Sequence, residues 1–221
     1  MTTKRLIHGI GNRSGMPTTV IGSNGKSKLC PIYQRWYRLL SDANENKITV
    51  DDELADLRLF SDHIKAQGYE PNKHRIVDLS YFTTLTGDCT VTKRLCDIIV
   101  VKKEHTHYFI SKRPERELPF WVHYAGGVFR AQVTMWNRNC WERKEGERRE
   151  GKKTVKLGKD PIVLHLWAIE RKIENFLYLM REYESGSAAQ IGMNNVIETL
   201  KKAADLKAEY IPSKIEIQRV A

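Results

Sequence analysis

The run Phe129-Arg130-Ala131-Gln132-Val133-Thr134-Met135-Trp136 alternates apolar and polar side chains without a break, the pattern of a half-buried β-strand. Phe129, Ala131, Val133 and Met135 fall on one face, and Arg130, Gln132, Thr134 and Trp136 on the other. An arginine, a glutamine and an indole in register offer a phosphate contact, a base-edge reader and a stacking plane. The same pattern also describes an ordinary amphipathic strand with solvated polar groups, so the neighbouring segments decide between the two.

Those neighbours predict a small sheet. Residues 118–124 read as a first strand, Gly126-Gly127 as a turn, 129–136 as the second strand and 154–157 as a third. In the third, Val155 and Leu157 are expected to face inward, and Thr154 and Lys156 outward. Asp160-Pro161 then opens a helix, because Asp is a favoured N-cap and Pro costs nothing at the first helical position. Ile162, Leu166, Ile169, Ile173, Phe176 and Met180 form a stripe along it that can back a three-stranded sheet. The other sheet face is left open. Residues 137–153 read as a loop of mixed charge, with Arg138, Arg143, Arg148, Arg149, Lys152 and Lys153 among four glutamates. Such a loop is either solvated or, beside an open polar face, a set of phosphate contacts.

With 221 residues, 41% of them hydrophobic, the chain can bury a real core in one large or two small domains. A net charge of +10 favours polyanionic partners. No stretch approaches the ~20 apolar residues of a membrane span, and the N-terminus lacks a signal-peptide apolar core. A cytoplasmic protein is expected. Cys30, Cys89, Cys96 and Cys140 show no zinc spacing, which points to reduced thiols buried as small hydrophobes.

Further upstream, Gly22-Ser23-Asn24-Gly25-Lys26-Ser27 imitates a phosphate-binding loop, yet only two residues separate Gly22 from Gly25-Lys26-Ser27 where the motif needs four. A basic arm or irregular lead-in is the expected form of the first thirty residues. Residues 32–40 predict a short helix with Trp36, Leu39 and Leu40 inward and Arg35 and Arg38 outward. A second helix starts at Asp51 or Asp52, carries Leu54, Leu57, Phe60 and Ile64 on its core face and stops at Gly68. His63 lies beside that stripe as a rim residue. Between 76 and 110, β-favouring runs alternate with polar punctuation: a hairpin around Gly87-Asp88, a buried segment at 98–101, and His105-Thr106-His107, which a strand would aim to one face. Pro114 to Glu117 reads as a hinge. Ile191, Ile197, Leu200 and Ala204 predict a last helix that ends before Pro212.

The order of pieces resembles the HNH-type homing endonucleases of tailed phages that carry a C-terminal DNA-binding domain like that of plant ethylene-response factors. Cys30-Pro31-Ile32-Tyr33 with Trp36, Val50 with the region 57–60, Leu118-Pro119 with Val122, Arg130-Ala131-Gln132-Val133 and Leu157-Gly158 carry the resemblance. It implies a sheet laid in the major groove of DNA. It also implies a Leu-Asp-Lys-Asp or Leu-Asp-His stretch as general base and metal ligand. Here Leu79-Ser80-Tyr81-Phe82 stands at that place, so the catalytic triplet is lost. A relocated set, His74 and Asp78 with His105, is the alternative.

The expectation is therefore an α+β chain in three parts: residues 1–113, a degenerate HNH-like ββα module with helices; 114–184, a three-stranded antiparallel sheet on one long helix; and 185–221, a helical extension. Double-stranded DNA is the expected partner, met by Arg130, Gln132, Thr134, Trp136, Arg138, Lys153, Thr154 and Lys156. No cofactor is expected, with Mg²⁺ or Mn²⁺ required only if a nuclease survives. Two alternatives stay open: a metal-dependent nicking enzyme, and an inhibitor that binds a host protein.

Overall fold

A computed structural model describes residues 7–22, 24–82, 91–109, 121–136, 144–150 and 153–206. The expected hairpin around Gly87-Asp88, the hinge at 114–117, and Arg138, Arg143 and Lys152 lie outside the described residues. The chain is α+β and divides into two compact units, one built from residues 1–80 and 90–106, the other from 81–89 and 107–221.

The first unit is organised by α1 (Pro31–Glu45), which buries Trp36, Leu39, Leu40 and Ala43. It runs five residues beyond the predicted end, since nothing between Leu40 and Glu45 breaks a helix. The predicted second helix is two helices. Asp51 caps α2 (Asp52–Ala55) by accepting from Leu54 N, and Asp56 caps α3 (Leu57–Ala66) by accepting from Arg58 N and Leu59 N. Gly68, at φ +69°, closes α3 with its N–H on the Lys65 carbonyl. Leu54, Leu57, Phe60 and Ile64 meet Trp36 and Leu40 in one core.

The described part of the lead-in is partly structural. Ile7, Ile10 and Met16 pack against this core. Asn12 bridges the two short helices, donating to Ala55 O and accepting from Leu57 N (2.8 and 2.9 Å), and the Ser14 hydroxyl donates to Asp56. Gly11 is buried where a Cβ would collide with Leu40 and come within 2.7 Å of Trp36. Gly11→Ala should cost about 1–3 kcal/mol by overpacking, read as a lower midpoint in urea denaturation. After it, β1 (Thr19–Ile21) and β2 (Ser27–Leu29) pair antiparallel. Gly22, Asn24, Gly25 and Lys26 belong to the connection of this hairpin, not to a strand-to-helix phosphate loop: Gly22 N donates to Lys26 O, and Gly25 sits at φ +72°.

Two short strand pairs complete the unit. β3 (Thr49–Val50) runs parallel to β5 (Thr92–Lys93), and β4 (His74–Asp78) antiparallel to β6 (Ile98–Lys102), so the buried segment expected at 98–101 is a strand rather than a helix. His105-Thr106-His107 is not a strand. It belongs to a 3₁₀ helix, Lys103–Tyr108, in which His105 is buried and His107 exposed. Of the four cysteines, Cys30 is half-buried and Cys96 exposed, both as free thiols, so neither is a core residue; Cys89 and Cys140 lie outside the described residues.

The second unit carries four strands rather than three: β7 (Val122–Ala125), β8 (Val128–Thr134), β9 (Glu147–Glu150) and β10 (Lys153–Gly158), all antiparallel in the order β7-β8-β10-β9. The extra strand comes out of the predicted loop. Asp160 caps α4 (Pro161–Leu179) through Ile162 N and Val163 N. Its sheet-facing contacts are Leu164, Trp167 and Ala168, packed on Val122, Ala131, Val133 and Met135. Of the predicted stripe, only Ile169 and Phe176 are fully buried. α4 is covered on more than one side, because α5 (Ala188–Asp205) packs on it, and a helix buried nearly all round shows no single stripe. Ser187 caps α5, whose core face is Ala189, Met193, Val196, Ile197, Leu200 and Ala203, leaving Ile191 exposed. No helix among the described residues is long and apolar enough to cross a membrane.

Candidate nucleic-acid interface

The strand that opens the sequence argument keeps its parity. Ala131, Val133 and Met135 are 0–3% exposed, while Arg130, Gln132 and Thr134 stay half-exposed on the face away from α4. Directly opposed residues share a face, so the register extends this surface across the sheet. Thr134 lies opposite Lys153, Gln132 opposite Val155, Arg130 opposite Leu157 and His123; on the far side Val155 lies opposite Arg148 and Lys153 opposite Glu150. The outer face thus presents Arg130, Gln132, Thr134, Arg148 and Lys153, with Arg148 and Lys153 exposed.

The same register reverses the expected faces of β10. Thr154 pairs with Val133, and Lys156 with Ala131 and Glu147, so both belong to the helix-covered side and are half-buried. Neither belongs to the outer face. Leu157, expected inward, is 38% exposed on it. A lysine and a valine alternating with threonine and leucine leave the strand's phase ambiguous, and only its pairing with β8 fixes it.

Val155 is 1% exposed although it sits on the outer face. The Arg130–Glu150 ion pair lies across this position. From its place beside Leu157 the Arg130 guanidinium reaches Glu150, which lies beside Lys153. The apolar stem of an arginine can cover a valine while its head remains at the surface. Arg130 is 28% exposed, less open than the alternation alone implied, and its buried Nε has no hydrogen-bond partner among the described residues.

Trp136 falls just beyond β8, not on it. Its ring meets Tyr108 edge-on at 5.9 Å and its backbone N–H donates to Asn175 Oδ1 at 2.6 Å, so this residue packs within the unit and is half-buried rather than an open stacking plane.

On the helix side the sheet is pinned by charge. Glu147, 2% exposed, accepts from Arg171 Nε and Nη2 at 2.7 and 2.8 Å and from Trp167 Nε1 at 2.7 Å. Arg171, 3% exposed, also reaches Glu174. This bidentate pair holds β9 against α4 and so places Arg148 and Glu150 on the outer face. Sequence reasoning missed it, since a glutamate within a charged run reads as solvated.

In the first unit, the relocated catalytic set does not converge. His74 and Asp78 occupy opposite ends of β4, about 13 Å apart at the usual rise of a strand. His74 Nδ1 accepts from Glu70 N at 3.0 Å, and His105 is buried in its 3₁₀ turn. Asp78, 3% exposed, accepts from Ser80 N at 2.9 Å, from Ser80 Oγ at 2.5 Å and from the ammonium of Lys93, which is 1% exposed and also bonds Asp42 at 3.0 Å. Burial, then Asp78, push the Asp97 carboxyl up from its ordinary range. Among the described residues no three His, Cys, Asp or Glu side chains gather to hold a metal ion. With Asp78 occupied by a lysine and a serine, His74, Asp78 and His105 do not fit a hydrolytic Mg²⁺ or Mn²⁺ site.

No protein-family model, curated protein or solved structure matches this chain.

Proposed function

We propose that this chain is a double-stranded-DNA-binding protein on a scaffold of the phage HNH-endonuclease type, with its nuclease centre impaired. One observation carries the reading: an antiparallel sheet sealed by α4 on one face presents Arg130, Gln132, Thr134, Arg148 and Lys153 on the other. Lysine and arginine supply phosphate contacts, and Gln132 in the centre can read a base edge in a groove wide enough to take a sheet. The net charge of +10 adds a sequence-independent attraction. Asp78, held by Lys93 and Ser80, supports the loss of hydrolysis.

Duplex affinity, measured by gel shift across a salt series, should fall linearly with log salt. In Arg148→Ala/Lys153→Ala the slope should drop by about 1.8, at roughly 0.9 per phosphate released. Both residues are exposed, so the variant should fold as the parent does. An unchanged slope and affinity would overturn the reading.

A further inference from the structure

The positive charge of the chain is concentrated at one end. Seven Lys and Arg residues, Lys4 through Arg38, precede Asp42 and no Asp or Glu does, so these first 41 residues supply seven of the ten net charges. The sheet unit does not account for that excess. Within the stretch, the β1–β2 hairpin stands out from its core: every residue of both strands is exposed, Ile21 by 81% and Leu29 by 52%. The register places Ile21 and Leu29 on one face beside Thr19 and Ser27, and Val20 with Lys28 on the other, with Lys26 exposed where the turn ends. Among the described residues the two strands pair only with each other. A two-stranded ribbon in water is marginal on its own, and one that bares two large aliphatic side chains gains most from a partner. Its root is firm: Cys30 N donates to Thr18 O at 2.9 Å, and Pro31 begins α1, whose Trp36 is fully buried.

We infer that the hairpin Thr19 to Leu29 is a second nucleic-acid contact, an arm that enters a groove of duplex DNA with Lys26 and Lys28 on phosphates and Ile21 and Leu29 against the groove wall. The inference stands on this unit alone and does not require the sheet face. Two paired strands have the width that the major groove admits, and aliphatic side chains on DNA-contacting arms pack against bases or wedge between them. The absence of any carboxylate before Asp42 makes the complement a polyanion. A lipid surface fits less well: both outer edges of the ribbon bare backbone N–H and C=O groups, which a groove with its water can satisfy and hydrocarbon cannot.

The test uses the full chain and a labelled duplex oligonucleotide in anisotropy titrations over a salt series. Lys26→Ala/Lys28→Ala should weaken binding roughly tenfold or more and lower the log–log salt slope by about 1.8. Ile21→Ser/Leu29→Ser should weaken binding with the slope unchanged. All four positions are exposed, so thermal unfolding should match the parent. Parental affinity and slope in both ribbon variants would overturn the inference, as would ribbon-dependent binding to phosphatidylserine vesicles with no ribbon-dependent binding to DNA. Arg148→Ala/Lys153→Ala in the same titrations separates the two surfaces. If that variant binds as the parent does while the ribbon variants lose affinity, the sheet reading falls and the ribbon contact remains.

Discussion

Replacing Glu147 with alanine is expected to destabilise the sheet unit by about 3–5 kcal/mol, the cost of leaving a buried charge without its partner. Arg171 would keep its burial at 3% exposed while losing both bonds to the carboxylate, and Trp167 Nε1 would lose its acceptor on β9. Glu174 still touches Arg171 but is itself one-third exposed, so it compensates only in part. Chemical denaturation followed by tryptophan fluorescence reads the loss. The physical cause has its own control. Glu147→Leu combined with Arg171→Met removes both charges and fills similar volume, so it should recover most of the stability. Single-variant stability equal to the parent's would mean that β9 is not docked on α4 through this pair. Because β9 also carries Arg148 and Glu150 to the outer face, the proposed function adds that the single variant should weaken duplex binding indirectly and the double variant restore it.

Lys172→Met is expected to stabilise the protein at neutral pH, by about 2 kcal/mol, and to lose that advantage in alkali. Lys172 is 4% exposed, and burial lowers its pKa to about 8. In the unfolded chain the same ammonium titrates near its ordinary value of about 10.4. Below pH 8 the amine is charged in both states and the folded state bears the full desolvation cost. Between pH 8 and about 10.4 the unfolded state binds more protons, so the parent gains stability as pH rises. A gap of more than two pKa units corresponds to about 3 kcal/mol at 1.36 kcal/mol per unit. The Trp121 and Phe176 rings, each centred 5.7 Å from Nζ, offset part of that cost, and methionine gives up the bond from Nζ to Tyr108 O. The two stability curves should therefore approach each other from pH 8 and cross near pH 10. Parallel urea midpoints from pH 7 to 10.5 would show that Lys172 titrates normally.

Features written within a few residues of one another were legible from the sequence. Asp160-Pro161 and Gly68 bound their helices as expected, Gly126 and Gly127 turn at positive φ, and the alternation in β8 separates its two faces. The break between α2 and α3 was hidden because the apolar spacing of Leu54, Leu57, Phe60 and Ile64 suits one continuous helix. Asp56 interrupts it by capping the second piece, with Asn12 bonded across the gap.

The candidate interface was legible in one strand and illegible in the rest. Arg130, Gln132 and Thr134 declare their face by local alternation, since side chains on a strand point to opposite sides whatever surrounds them. The phase of β10 depends on which residue of β8 it meets, and that pairing reverses the positions of Thr154, Lys156 and Leu157. In the same way, the last stretch of the charged loop becomes a strand only because Glu147 finds Trp167 and Arg171, twenty and twenty-four residues onward. The sequence alone determined the helix ends, the turns and the faces of β8, because each follows from the backbone preferences of adjacent residues. Strand register, the fourth strand and the burial of Glu147, Arg171, Lys93 and Lys172 were decided by tertiary structure, because a charged side chain's environment depends on partners that proximity in sequence does not specify.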